Sequence, residues 1–159
     1  MGKAIVWAAV VDGTRARIWR EPFTLTTQNQ WDIVLRAPQR HLRMALNALE
    51  GANGSAALRQ AALVYRAKAV QRDRLDLARQ IAAQLQAALE LACFQYLALF
   101  VSAEMRPHLP AAFSAELTRT IILEHAAQIA YMSETALHET VKERVSAWRV
   151  AFGSDPAKN

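Results

Sequence analysis

The stretch Ala4-Ile5-Val6-Trp7-Ala8-Ala9-Val10-Val11-Asp12-Gly13-Thr14-Arg15-Ala16-Arg17-Ile18-Trp19 decides the fold class. Its first eight residues are apolar without a break, the pattern of a strand buried on both faces. Asp12-Gly13 is a strong turn signal, and the residues after it alternate, as in a strand with one face packed and one in solvent. The chain therefore opens with a β-hairpin that puts Arg15, Arg17 and Trp19 on one side of its second strand. A third short strand is expected at residues 31–36, ahead of Pro38.

Beyond Pro38 the spacing turns helical. Leu42, Ala45 and Leu49 repeat at three and four until Gly51-Ala52-Asn53-Gly54 interrupts them. Ser55 is placed to cap a further helix over residues 56–72, where Leu63-Val64-Tyr65 reads equally as strand. A helix over residues 73–92 carries the stripe Leu75, Ala78, Ala82, Leu85, Leu89 and Ala92. Phe94-Gln95-Tyr96-Leu97-Ala98-Leu99-Phe100-Val101 reads as a buried strand rich in aromatic residues. Pro107 and Pro110 then interrupt a short irregular or helical piece. Residues 113–117 read as the end of a helix, and residues 120–123 as a strand with Glu124 and His125 at its end. Ser133 is a candidate N-cap for a final amphipathic helix that buries Leu137, Val141, Val145, Trp148 and Phe152 and stops at Gly153 and Pro156. No internal repeat, linker or low-complexity tract divides the chain. The expectation is one α/β domain over residues 1–159, a mixed sheet with helices packed on it.

Composition excludes several classes. With 53% hydrophobic and 21% charged residues, the 159-residue chain can build a core and is not intrinsically disordered. Its 32 alanines favour helix. The single cysteine, Cys93, excludes an internal disulfide framework, a Cys-rich zinc module and a CxxC redox pair. The longest apolar run, residues 91–101, has 11 residues and includes Gln95, against the roughly 20 that a membrane span needs. Asp12, Arg15 and Arg17 follow the N-terminal apolar stretch at once, with no small-residue cleavage pattern, so no membrane association and a cytoplasmic location are expected.

Charge is unevenly placed. Residues 1–80 hold 13 Lys/Arg against 6 Asp/Glu, a net of +7, whereas residues 81–159 hold 6 against 8, a net of −2. The densest part comprises Arg36, Arg40, Arg43, Arg59, Arg66, Lys68, Arg72, Arg74 and Arg79 against Glu50, Asp73 and Asp76. The planar guanidinium suits phosphate contact and base stacking, and such a segment attracts polyanions by counterion release. Solvated surface is the competing reading of the same residues.

The opening Trp7-Ala8-Ala9-Val10-Val11-Asp12-Gly13-Thr14-Arg15-Ala16-Arg17-Ile18-Trp19 resembles the start of the bacterial host attachment proteins. Ile81-Ala82, Leu85 and Ala88, then the Phe94 to Leu99 strand, then Ala103 and Arg106-Pro107, extend the likeness, which covers residues 4–20 and 73–145. That family is similar to the middle domain of archaeal and eukaryotic peptide-chain release factors. The resemblance implies an α/β domain with a mixed sheet and an RNA- or ribosome-related role. The middle, residues 39–72, lacks the family's Gly-Arg stretch, and Ile129-Ala130-Tyr131-Met132 stands where an acidic Asp-Leu-Thr is usual. No Gly-Gly pair occurs, so the Gly-Gly-Gln chemistry of release factors does not carry over.

Catalytic and metal signals are sparse. His41, His108, His125 and His138 are far apart in sequence and form no HExxH, so no metal is expected. Cys93 is expected to be a small buried hydrophobe, with His125 the one base that a neighbouring strand could bring near it. Glu139 and Glu143 alternate with Lys142 and Arg144, as on a solvated helix face. No GxSxG, Walker loop or GxGxxG occurs. Trp7 and Trp148 fall on expected core faces; Trp19, beside Arg15 and Arg17, is either cover for the sheet or a platform for a base.

A non-catalytic binding protein without a cofactor is thus the favoured reading, with RNA or the ribosome as partner. The contacts would come from Arg36, Arg40, Arg43, Arg59, Arg66, Lys68, Arg72 and Arg74, with Arg15 and Arg17 as outliers. The alternatives are a protein that self-associates through Leu63, Val64 and Tyr65 and binds no nucleic acid, or a small hydrolase assembled from distant residues.

Overall fold

Strand β1 (Val6–Val11) is buried at every position and sits at the centre of a five-stranded sheet of order β3-β2-β1-β4-β5. The computed structural model describes residues 4–20, 32–37, 39–51, 56–126 and 132–152. Asp12 closes the first turn with one carboxylate oxygen, which accepts from the backbone N–H of Thr14 (2.8 Å) and of Arg15 (3.0 Å). The chain returns antiparallel as β2 (Arg15–Trp19), and β3 (Ile33–Arg36) continues the meander with Arg36 opposite Arg15. β4 (Tyr96–Val101) then runs parallel to β1, and β5 (Ile121–Ala126) parallel to β4. The mixed sheet, the opening hairpin and the closing helix agree with the sequence pattern.

Between β3 and β4 lie two helices, α1 (Arg40–Gly51) and α2 (Ala56–Glu90). The sequence pattern divides residues 56–92 at Asp73, and the structure does not: α2 runs through that position for 35 residues, roughly 50 Å. The strand reading of Leu63-Val64-Tyr65 is thereby replaced by helix. The buried stripe of α2 also differs from the expected one, being Leu77, Ala78, Ile81, Ala82, Leu85 and Ala88, with Ala92 exposed beyond the helix end. That end is a Schellman turn: Cys93 N–H donates to Ala88 O (2.9 Å) and Ala92 N–H to Leu89 O (2.9 Å), with Ala92 at φ 58° in the left-handed position that glycine usually takes.

Short helices α3 (Leu109–Ala112) and α4 (Ala115–Arg119) follow β4. Residues 113–117, expected as one helix end, hold a break instead. Phe113 is extended, and Ser114 Oγ caps α4 by accepting from Leu117 N–H (3.0 Å). The last helix, α5 (Glu134–Phe152), starts after Ser133, whose Oγ accepts from Ala136 N–H (3.1 Å) as expected of an N-cap. The expectations for Trp31, Ser55, Gly153 and Pro156 lie outside the described residues.

Helices cover both faces of the sheet. Trp7, Ala9 and Val11 with Leu97, Leu99 and Val101 pack on α2, α3 and α4, while Val6, Ala8 and Val10 with Ala98 and Phe100 pack on Leu137, Val141, Val145 and Trp148 of α5. Arg149 Nη2 ties α5 to the start of β1 by donating to Ala4 O (2.9 Å). None of the described helices is long and apolar enough to cross a membrane.

Candidate nucleic-acid interface

The two halves of α2 differ in what they touch. The second half, from Leu77 on, lies in the core beneath the sheet. Ahead of it only Ala69 and Asp73 are buried among the described residues, and the first half pairs with α1 into a helical arm. One small residue on each helix, Ala45 of α1 and Ala69 of α2, is buried. Asp73 fixes the start of α1. Its Oδ1 accepts from His41 N–H (3.0 Å) and its Oδ2 from Leu42 N–H (2.9 Å), which satisfies two of the free donors of that helix. His41 Nε2 meets Asp76 Oδ2 at 3.1 Å, one turn further along α2.

The arm carries the basic segment. Arg40, Arg43, Arg59, Arg66, Lys68 and Arg72 are exposed on it, and Arg36 is exposed at the end of β3. None of these seven forms an ion pair with a carboxylate among the described residues. They do not share one face. Arg59 and Arg66, seven apart, lie on one side of α2. Lys68 and Arg72, four apart, lie about 200° around it at 100° per residue. Beside them the arm exposes Met44, Leu46, Leu63, Val64 and Tyr65, apolar side chains that no described element covers.

Arg74 stands apart from this surface. It lines a cleft of about 150 Å³ with Gly13, Thr14, Gln39, Leu42, Val70, Asp73 and Glu104. Glu104 Oε1 accepts from Gly13 N–H (3.2 Å), and a Cβ at position 13 would stand 3.1 Å from that oxygen and 3.5 Å from Arg74 Nε. The cleft is well below the roughly 300–1,000 Å³ of ordinary ligand pockets, and no nucleophile–base pair lines it, so it gives no support to the hydrolase alternative.

Arg17 corrects the expectation made for it. Only 3% of its surface is exposed, because the face of β2 that alternation assigns to solvent is covered by α5. Its guanidinium hydrogen-bonds Glu134 Oε1 at the start of α5 and lies 3.8 Å from Asp12 Oδ2. Burial lowers the Arg17 pKa, helped by neighbouring Arg15, and the Glu134 and Asp12 carboxylates oppose that shift. Arg15 is half-buried and shared between Asp12 (3.7 Å) and Glu134 (3.6 Å). These two arginines clip the hairpin to α5 and present no free cationic surface. Trp19 is likewise inside, its ring edge-on to His138 at 4.9 Å, so it offers no platform to a base.

Cys93 is exposed, contrary to the buried position expected, since it follows the left-handed residue of the α2 Schellman turn. His125 pairs in register with Phe100, toward the far end of β4 from Cys93, so the strand arrangement does not bring the two together. Sequence distance hid one cluster: His41, Asp73 and Asp76 can each offer a metal-ligand atom within 4.8 Å of the others. The Asp73 oxygens there already serve the α1 N-terminus, and the i,i+3 spacing of Asp73 and Asp76 was the one sequence signal for the group. Neither a family model nor a curated protein matches the chain.

Proposed function

We propose that this chain is a non-catalytic binding protein that holds structured RNA, free or within the ribosome, through the α1–α2 arm. The observation that carries the reading is the set of exposed cations without carboxylate partners among the described residues at Arg36, Arg40, Arg43, Arg59, Arg66, Lys68 and Arg72. Unpaired surface guanidinium groups are open to phosphate, and their counterion release supplies affinity without sequence preference. The likeness of residues 4–20 and 73–145 to host attachment proteins, and through them to the middle domain of release factors, supports the same reading.

Fluorescence anisotropy with a structured RNA, alongside co-sedimentation with ribosomes, tests it. If about six phosphates are contacted, affinity falls by roughly 10³ or more between about 50 and 200 mM salt. Reversing Arg40 and Arg43 to Glu weakens binding further. Absence of binding at the lower salt rejects the reading.

A second reading rests on a different observation. Leu63 (53% exposed), Val64 (48%), Tyr65 (40%) and Met44 (57%) are exposed apolar side chains on the same arm, which favours self-association. It predicts a dimer in analytical ultracentrifugation that persists at high salt.

A further inference from the structure

The RNA that such an arm would hold can be narrowed by what the fold presents and what it hides. We infer that the arm engages double-stranded RNA, with the two cation rows of α2 set against two phosphate strands. This rests on the RNA-binding reading above.

Two rows are the first argument. Arg59 and Arg66 on one side of α2, and Lys68 and Arg72 about 200° around it, stand on two sides of the helix that α1 packs against. A duplex offers phosphates along both edges of a groove, while an unpaired strand offers a single row and leaves one side of the helix without a partner. The helix is also preformed, so its cations meet a stiff phosphate lattice with little ordering of either partner.

The second argument is what single strands need and the described part of the arm offers at one position only. Unpaired strands gain about 1–3 kcal/mol per base by stacking on exposed aromatic side chains. Here both sheet faces lie under helices, and Trp7, Trp19, Phe94, Phe100 and Trp148 are all buried. Among the described residues the arm exposes a single aromatic side chain, Tyr65.

Charge density adds a third. Binding to a duplex falls with salt at a slope of about −0.9 per phosphate contacted, and to a single strand at about −0.7. With about six contacts the difference amounts to roughly tenfold in favour of the duplex at 0.1 M salt, relative to 1 M.

The experiment compares a duplex RNA of about 20 base pairs with an unstructured strand of equal length, by anisotropy across a salt series, on the whole chain. The expected result is tighter duplex binding at 0.1 M salt, a steeper salt slope, and a duplex preference that grows roughly tenfold between 1 and 0.1 M. Arg66→Glu and Lys68→Glu, one from each row, should each lower duplex affinity. Arg144→Glu, an exposed site on α5 with the same change in charge, should leave it within about twofold. Equal or tighter binding of the single strand overturns the inference and leaves RNA binding standing. No binding of either RNA overturns both. Equal losses in all three variants would show a net-charge effect and overturn the assignment to the arm.

Discussion

The arm and the sheet-packed body use the same residue types to opposite ends. In the body, Leu77, Ile81 and Leu85 of α2 are wholly buried. In the arm, Leu63, Val64 and Tyr65 of the same helix are about half exposed. Arg17 in the body is sequestered with Glu134 and Asp12, whereas Arg66 and Arg72 in the arm stand in solvent without a carboxylate among the described residues. A continuous backbone does not impose a common environment. Tertiary packing holds the second half of α2, while alanine-rich helix propensity and α1 hold the first.

The largest expected effect tests that division directly. Ile81→Ala removes a fully buried side chain and should destabilise by about 2–5 kcal/mol, while Leu63→Ala should stay within about 0.5 kcal/mol. Urea unfolding measures both. Comparable losses at the two sites would mean that Leu63 is covered in solution, which the self-associated form would explain.

Glu134→Gln sharpens the arginine contrast. It leaves the buried Arg17 guanidinium with a weaker acceptor, and destabilisation of about 1–3 kcal/mol is expected, toward the lower end because Glu134 is itself half exposed. Charge removal at an arm residue, such as Arg66→Gln, should leave the unfolding midpoint unchanged. A midpoint that moves with Arg66→Gln would reveal an ion pair that Arg66 does not make among the described residues.

Asp73→Ala addresses the joint between the two regions. Losing the carboxylate frees two N–H groups at the start of α1 and should cost about 1–2 kcal/mol. Hydrogen exchange should accelerate across residues 40–46 before it does in β1 or β4. Ala92→Gly acts at the other end of α2 and in the opposite direction, relieving a left-handed alanine for a gain of about 0.5–1 kcal/mol.

These residues also show where local sequence stops being informative. The hairpin is legible because an unbroken apolar run, Asp12-Gly13 and an alternating return are all local signals. The final helix is legible for the same reason, with Ser133 and the buried positions Leu137, Val141, Val145 and Trp148 within one stretch, although Phe152, expected to be buried with them, is exposed in the last turn. Asp73 misleads because its preference for helix starts is met at a helix start, but that of α1, 32 residues away. Arg17 misleads because alternation defines two faces without saying what covers them, and its partner Glu134 lies 117 residues on. The cations of the arm are legible as a composition, while their split between two sides of α2 emerges only once residues 56–90 form a single helix.

The smallest expected effect belongs to His138, which α5 buries against Trp19 with Glu134 and Arg17 beside it. Burial lowers its pKa; the Glu134 carboxylate opposes the shift and Arg17 reinforces it. The folded state therefore disfavours protonated His138 relative to the unfolded chain. The resulting stability is present above the unfolded-state value, near 6.5, and is lost as pH falls through the lower folded-state pKa. Thermal unfolding between pH 7.5 and 5 should show a decline that His138→Gln flattens, although the variant starts from a lower Tm. A parallel decline in both proteins would assign the acid sensitivity to other groups. If the decline came with loss of arm protection in hydrogen exchange and not of the body, the two regions would be coupled where the packing here separates them.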